Sequence, residues 1–311
     1  MTVLNSPAVT AGSRRERPLS RRGRPLWMLI PGAALLLIIV LIPIALGFWM
    51  SLLKLNQYTL RQWLSAPLVG VRNYVTALTD SPLLASLWIS LSFAVLATLV
   101  ALPIGLTAAV ATQNPFPGRA LIRAIFLVPY VLPSFVVATV WRTMFQPDGV
   151  MVKVLNGIGI HQKLWLNGPG SFWTLVFVEI WASWPFIYLM ALSGLQSVPN
   201  EVHEAAALDG APWHRKLFSV VLPFTRGPVA LGFVIAVLNH INNFTLPLVL
   251  FGIPAPAEVQ TLPFLTYIQS FQDFQFGLSA ATSFLSLAFI AIPLLVYVRS
   301  VKLDVEPEGG R

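Results

Sequence analysis

No cysteine occurs in the 311 residues, which excludes a disulfide framework, a thiol nucleophile and a cysteine metal site. Charge is scarce too. Only 10% of residues are Asp, Glu, Lys or Arg, where soluble domains carry roughly 25%. The four histidines, at 161, 203, 214 and 240, are too scattered to imply a metal cluster. A zinc-protease helix needs His-Glu-x-x-His, but after His203-Glu204 the second histidine's place is taken by Ala207. No G-x-x-x-x-G-K-[ST] occurs, so the chain does not hydrolyse ATP itself.

What is present is apolar. Hydrophobic residues make up 56% and the mean hydropathy is +0.74, the composition of a membrane protein. Taking about 20 apolar residues per bilayer crossing, six spans are expected at 27–53, 83–111, 123–145, 171–195, 228–251 and 277–299. The expected architecture is all-α, with a disordered basic tail over 1–25, a transmembrane domain over 26–300 and a short tail over 301–311. The first span is uncharged over 27 residues, too long for a signal-peptide core, and reads as a retained signal anchor. Every span holds a proline (Pro43, Pro103, Pro129 with Pro133, Pro185, Pro247 and Pro293), which points to kinked helices around a pathway.

Net charge is +8. Of the 20 Lys and Arg, 14 fall in the N-tail, the 2–3 and 4–5 loops and the C-tail, so the positive-inside rule puts both termini in the cytoplasm. The basic balance is then topology, and no nucleic-acid partner is expected.

Between the fourth and fifth spans lies a polar island, 198–223. Pro199 suits a first helical turn. Val202, Ala205, Ala206 and Asp209 share one helical face, smooth because alanine projects only a methyl group. Gly210 permits a left-handed stop, and Pro212 opens a second short helix carrying Trp213. The result is a compact knob suited to a partner's groove. Glu204-Ala205-Ala206, Gly210, Val220 and Leu222-Pro223 closely resemble the signature loop of ABC importer permeases. Weaker matches to the sugar-importer branch, of maltose or glycerol-phosphate type, extend from the first span to the last. They include Val69-Gly70 with Asn73-Tyr74, Trp141 to Phe145 with Gly149, Leu195 to Pro199, Thr261-Leu262-Pro263, and Phe276 to Ala281.

The resemblance implies a type I ABC importer permease fold with a cytoplasmic coupling helix, in a bacterial inner membrane. It makes Glu204, Ala205, Ala206, Asp209, Gly210 and Trp213 the residues coupling to the ATPase. It also implies a second homologous permease subunit, an ABC ATPase dimer carrying Mg-ATP, and an extracytoplasmic solute-binding protein. No cofactor is expected in this chain.

Polar residues inside spans are costly and mark pathways or helix contacts. Glu179 is the one clear acid within a span. Near it Trp181, Trp184 and Tyr188 form a helical stripe, either a sugar-stacking surface or a helix-packing one. In the fifth span Asn239, Asn242 and Asn243 share a face, which either bonds neighbouring helices or lines a wet cavity. His240 lies off that face and reads as a packing histidine. A secondary transporter is an alternative, but one acidic residue hardly equips it for ion coupling and it leaves the 204–210 loop unexplained. A membrane scaffold is another, which the asparagine face argues against.

Overall fold

In a computed structural model the described residues are 30–161, 164–198, 201 and 222–302. The chain divides into two compact units, Met1–Gly47 and Phe48–Arg311. The first contributes the start of α1 (Ile30–Ser51), an apolar helix of 22 residues with a π-helical turn at Leu37–Leu41. Its side chains from Ile30 to Leu46 are exposed, as lipid contact requires of a helix with no polar face.

The second unit follows with α2 (Arg72–Thr79), α3 (Leu83–Thr112), α4 (Arg119–Val131), α5 (Ser134–Met144), α6 (Val150–Gly157) and α7 (Pro169–Gln196). Then come α8 (Leu222–Ile241), α9 (Thr245–Phe251), α10 (Leu262–Phe271) and α11 (Phe276–Lys302). Among the described residues there is no strand beyond a single antiparallel bridge between Leu53 and Leu68.

The centre of this unit is α3, α7 and α8, each packed on the other two. Gly105 shows why they approach so closely: a Cβ there would lie 2.7 Å from the Tyr188 backbone nitrogen. A second junction explains two of the weaker sequence matches. The Asn73 amide donates to the carbonyls of Ser51 and Leu53 at 2.8 and 2.9 Å, and the Tyr74 hydroxyl meets Ser51 Oγ at 2.6 Å. Gly277 completes it, since a Cβ would collide with the Leu53 carbonyl, while its own N–H donates to Leu55 O at 2.9 Å.

Two expected spans are broken. Over 123–145 the sequence reading placed one helix, but α4 and α5 meet at 90°. The cause is local: Leu132 precedes Pro133, whose ring drives it out of the helical region to φ −70°, ψ 134°. Over 228–251, α8 and α9 meet at 46°. Pro247 has no N–H for the carbonyl of Asn243; the regular bonds of α8 run to Asn242 N–H on Leu238 O at 3.2 Å, and the ladder restarts with the proline in the first turn of α9. Pro103 and Pro185 lie inside helices that run on unbroken. Among the described residues three helices are long and apolar enough to cross a membrane, and five if each bent pair counts as one span; α11 occupies the window of the sixth.

Candidate binding cavity

The two breaks face the same space. Pro129 and Leu132 from the α4–α5 corner, one face of α7 and one face of α8 enclose a cavity of about 310 Å³. The α7 face is Glu179, Ala182, Ser183 and Phe186, spaced i, i+3, i+4 and i+7. The α8 face contributes Ala236, Asn239 and His240, and Asn243 from the break after the helix and Leu246 of α9 join them.

The polar part of the wall is a chain of hydrogen bonds across three helices. The Asn243 amide donates to Glu179 Oε2 at 2.7 Å, and Asn243 Oδ1 accepts from the Leu246 N–H at 3.2 Å. Glu179 Oε1 lies 3.3 Å from His240 Nε2. On the far side of the ring, His240 Nδ1 meets Thr98 Oγ1 at 3.0 Å, and that hydroxyl donates to the Ala94 carbonyl at 2.7 Å. Glu179 is 6% exposed, His240 2% and Thr98 wholly buried. Four polar groups of the lining take no part in that chain: Tyr130, Ser134 and Asn239, all exposed, and Ser183, whose Oγ is buried without a hydrogen-bond partner.

The residues expected at a binding site separate into two sets. Glu179, Asn239 and Asn243 line the cavity; Trp181, Trp184, Tyr188 and Asn242 do not. At about 100° per residue, the three aromatic positions fall roughly 140–200° around α7 from Glu179, on the helix's other side. There Trp181 stacks edge-on against Trp141 and Trp184 against Phe126, with centroids 5.5 and 5.2 Å apart. Tyr188 is buried, its hydroxyl 3.1 Å from Thr112 Oγ1. Asn242 follows the last residue of α8 and is absent from the cavity wall; its side-chain amide bonds back to Leu238 O at 2.8 Å.

His240 and Thr98 were missed. His240 is a packed residue, but it also lines the cavity and links Glu179 to α3. The signal for it was the polar spacing 239, 240, 243 counted from the small Ala236. Thr98 had no local signal, because its partner is 142 positions away. Glu204, Ala205, Ala206, Asp209, Gly210 and Trp213 lie outside the described residues.

The sequence profile of the family described as binding-protein-dependent transport system inner membrane component matches residues 101–302, which contain every residue lining the cavity. Similar proteins include the trehalose/maltose transport system permease protein MalF of Thermococcus litoralis, 26% identical over 274 residues, covering 88% of this chain and 91% of its own. The sulfoquinovosyl glycerol transport system permease protein SmoG of Agrobacterium fabrum is 28% identical, covering 88% of this chain and 89% of its own. The sn-glycerol-3-phosphate transport system permease protein UgpA of the same organism is 28% identical, covering 81% and 87%. Among solved structures, a chain of a bacterial ABC transporter involved in the import of the acidic polysaccharide alginate superposes with a TM-score of 0.74. It is 18% identical and covers 90% of this chain and 95% of that one.

Proposed function

From the premise that this chain belongs to the family of binding-protein-dependent transport system inner-membrane components, we propose that it forms half of the translocation pathway of an ATP-driven importer for a sugar or sugar-like solute. It is a multi-pass inner-membrane transport subunit with the type I permease fold. The observation that carries the sugar reading is the cavity itself. Apolar walls from Leu132, Phe186 and Leu246 face a narrow row of hydroxyl, amide and carboxylate groups, the combination that holds a ligand with both C–H faces and hydroxyls.

The remaining parts of the machine belong to other chains. A second homologous permease completes the pathway, and a solute-binding protein delivers to its outer side. A pair of ABC ATPases binds Mg-ATP and grips the cytoplasmic loop at Glu204, Ala205, Ala206, Asp209, Gly210 and Trp213, with both termini of this chain on the same side. The polar island ends at residue 223, just inside α8, and the α8 side chains that line the cavity lie near that helix's other end. A 20-residue helix is about 30 Å long, so displacement of the loop reaches Ala236, Asn239 and His240 along one rod. Alternating access then follows from ATP-driven closure of the partner chains.

The test is reconstitution of the whole assembly in proteoliposomes with its binding protein, followed by uptake of a labelled neutral disaccharide. Uptake should require internal ATP and the binding protein. Uptake driven by a proton or sodium gradient without ATP would establish the secondary-transporter alternative.

A further inference from the structure

Another hollow, of about 230 Å³, opens beyond the cavity described above. The helices α5 and α9 border both. On α5, Val137 lines the first and Arg142 the second; on α9, Leu246 lines the first and Phe251 the second. Each pair is five residues apart, about 7–8 Å along a helix axis. The outer hollow is therefore the next step along the same two helices, toward the 145–168 connection that the charge count places outside.

Its frame is fixed by the fold. Gly149 closes the turn that carries Gln146: its N–H donates to the Gln146 carbonyl at 2.7 Å, and a Cβ there would collide with the Met144 carbonyl. Trp165 is held by its own carbonyl, which accepts from the buried Thr174 hydroxyl at 2.8 Å, and by its ring against Phe145, centroids 5.9 Å apart. Arg142 reaches across to α9, where Nη1 donates to Val249 O at 3.1 Å. Its guanidinium lies so close to Gly252 that a Cβ there would sit 3.4 Å from both terminal nitrogens. What the frame leaves unused is polar. Gln146 and Asn167 are exposed, and their side chains bond to no described residue. Arg142 has N–H groups beyond the one given to Val249, and it forms no ion pair among the described residues. Trp165 Nε1 is itself buried, so the indole offers its surface rather than its N–H.

We propose that this hollow is an outer subsite that takes one sugar ring of the solute before it reaches the cavity between α7 and α8. Arg142, Gln146 and Asn167 bind the ring's oxygens, and Phe145, Trp165 and Phe251 supply the apolar side. The proposal rests on the importer reading above and adds an earlier position to its route. A sugar ring presents C–H faces and a rim of hydroxyls that both donate and accept. The two amides do both as well, the guanidinium donates in a fixed fork, and aromatic surfaces take the C–H faces. Size sets the occupant at one ring: sites for drug-sized ligands run from about 300 Å³ upward, and this hollow is smaller.

The test uses the assembled transporter in nanodiscs with a diazirine-bearing glucose disaccharide, photolysed without ATP, and mass spectrometry of the labelled peptides. Label should appear within 142–147 and 164–167 and should fall when excess unmodified disaccharide competes. Gln146→Leu combined with Asn167→Leu breaks no side-chain hydrogen bond of the described fold. That double variant should lose the outer label and raise the KM of uptake about tenfold, with kcat and subunit level unchanged. Asn239→Leu, in the inner cavity, should keep the outer label. Label that is absent from both segments, or that survives the double substitution, overturns the subsite. A native KM in the double variant overturns its place on the route. Loss of the subsite by either result while ATP-driven uptake continues leaves the importer reading standing. No ATP-driven uptake of any sugar removes that reading, and with it the outer subsite's place on a route.

Discussion

Thr98 and His240 are 142 positions apart in the chain and 3.0 Å apart in the fold. That contact ties α3 to α8, and through Glu179 and Asn243 it reaches α7 and the start of α9. The polar wall of the cavity is therefore also the joint that holds the α8–α9 bend. A change at one member should be felt as both altered packing and altered transport.

Glu179 is the centre of that joint. Glu179→Ala leaves the buried His240 and the half-buried Asn243 without their common partner, a loss of about 1–3 kcal/mol for a polar group left unsatisfied. Glu179→Gln keeps an oxygen and a donor in place and should cost far less. Thermal unfolding of the detergent-solubilised complex should rank native, Gln and Ala in that order. Equal stability of the Ala and native proteins would contradict the network.

Asn239 and Asn242 look equivalent by spacing but sit differently. Asn239→Leu removes a free amide from the cavity and should raise KM for the solute several-fold, with assembly intact. Asn242→Leu removes only a bond to the end of its own helix and should leave KM unchanged. A matched pair of uptake curves distinguishes them, and the reverse ranking would move the binding face to the other side of α8.

Gly105 is set by the approach of α3 to α7. Gly105→Val places side-chain atoms where the Tyr188 backbone and the Ile187 side chain already are, an overpacking cost of about 1–3 kcal/mol. Because backbone is involved, a smaller residue at Ile187 should relieve only part of it. The melting temperature of the single and double variants measures this.

For the coupling loop the expectation concerns transmission. Gly210→Pro removes the left-handed option at the proposed helix stop and should abolish uptake while membrane insertion and subunit level stay unchanged. Normal uptake by that variant would dismiss the loop as the contact with the ATPase.

Much of this was legible in the chain. The apolar windows at 83–111 and 171–195 coincide with α3 and α7 to within a few residues, because 20-odd uncharged residues in lipid have to satisfy their own backbone and a helix does that locally. Glu179 and the asparagines stood out because polar groups in such windows are rare. The breaks were less legible. Pro103 and Pro185 run inside straight-through helices while Pro133 and Pro247 sit at bends, and the four residues look alike in sequence. A membrane helix tolerates a proline where its surroundings accommodate the freed carbonyl, and those surroundings are not written in the local sequence.

By itself, then, the sequence determined the composition-driven features: a helical membrane protein, its approximate helical windows, the 204–210 signature and the scarce polar positions. Each depends on local chemistry, on period or on residue counts. Tertiary structure decided which polar groups meet. It turned the Trp181–Trp184–Tyr188 stripe away from Glu179, took Asn242 out of the cavity and brought in His240 and Thr98. Those outcomes depend on how α3, α7 and α8 are rotated against one another, and that rotation is set by packing between segments far apart in the chain, such as Gly105 against Tyr188, which no local pattern encodes.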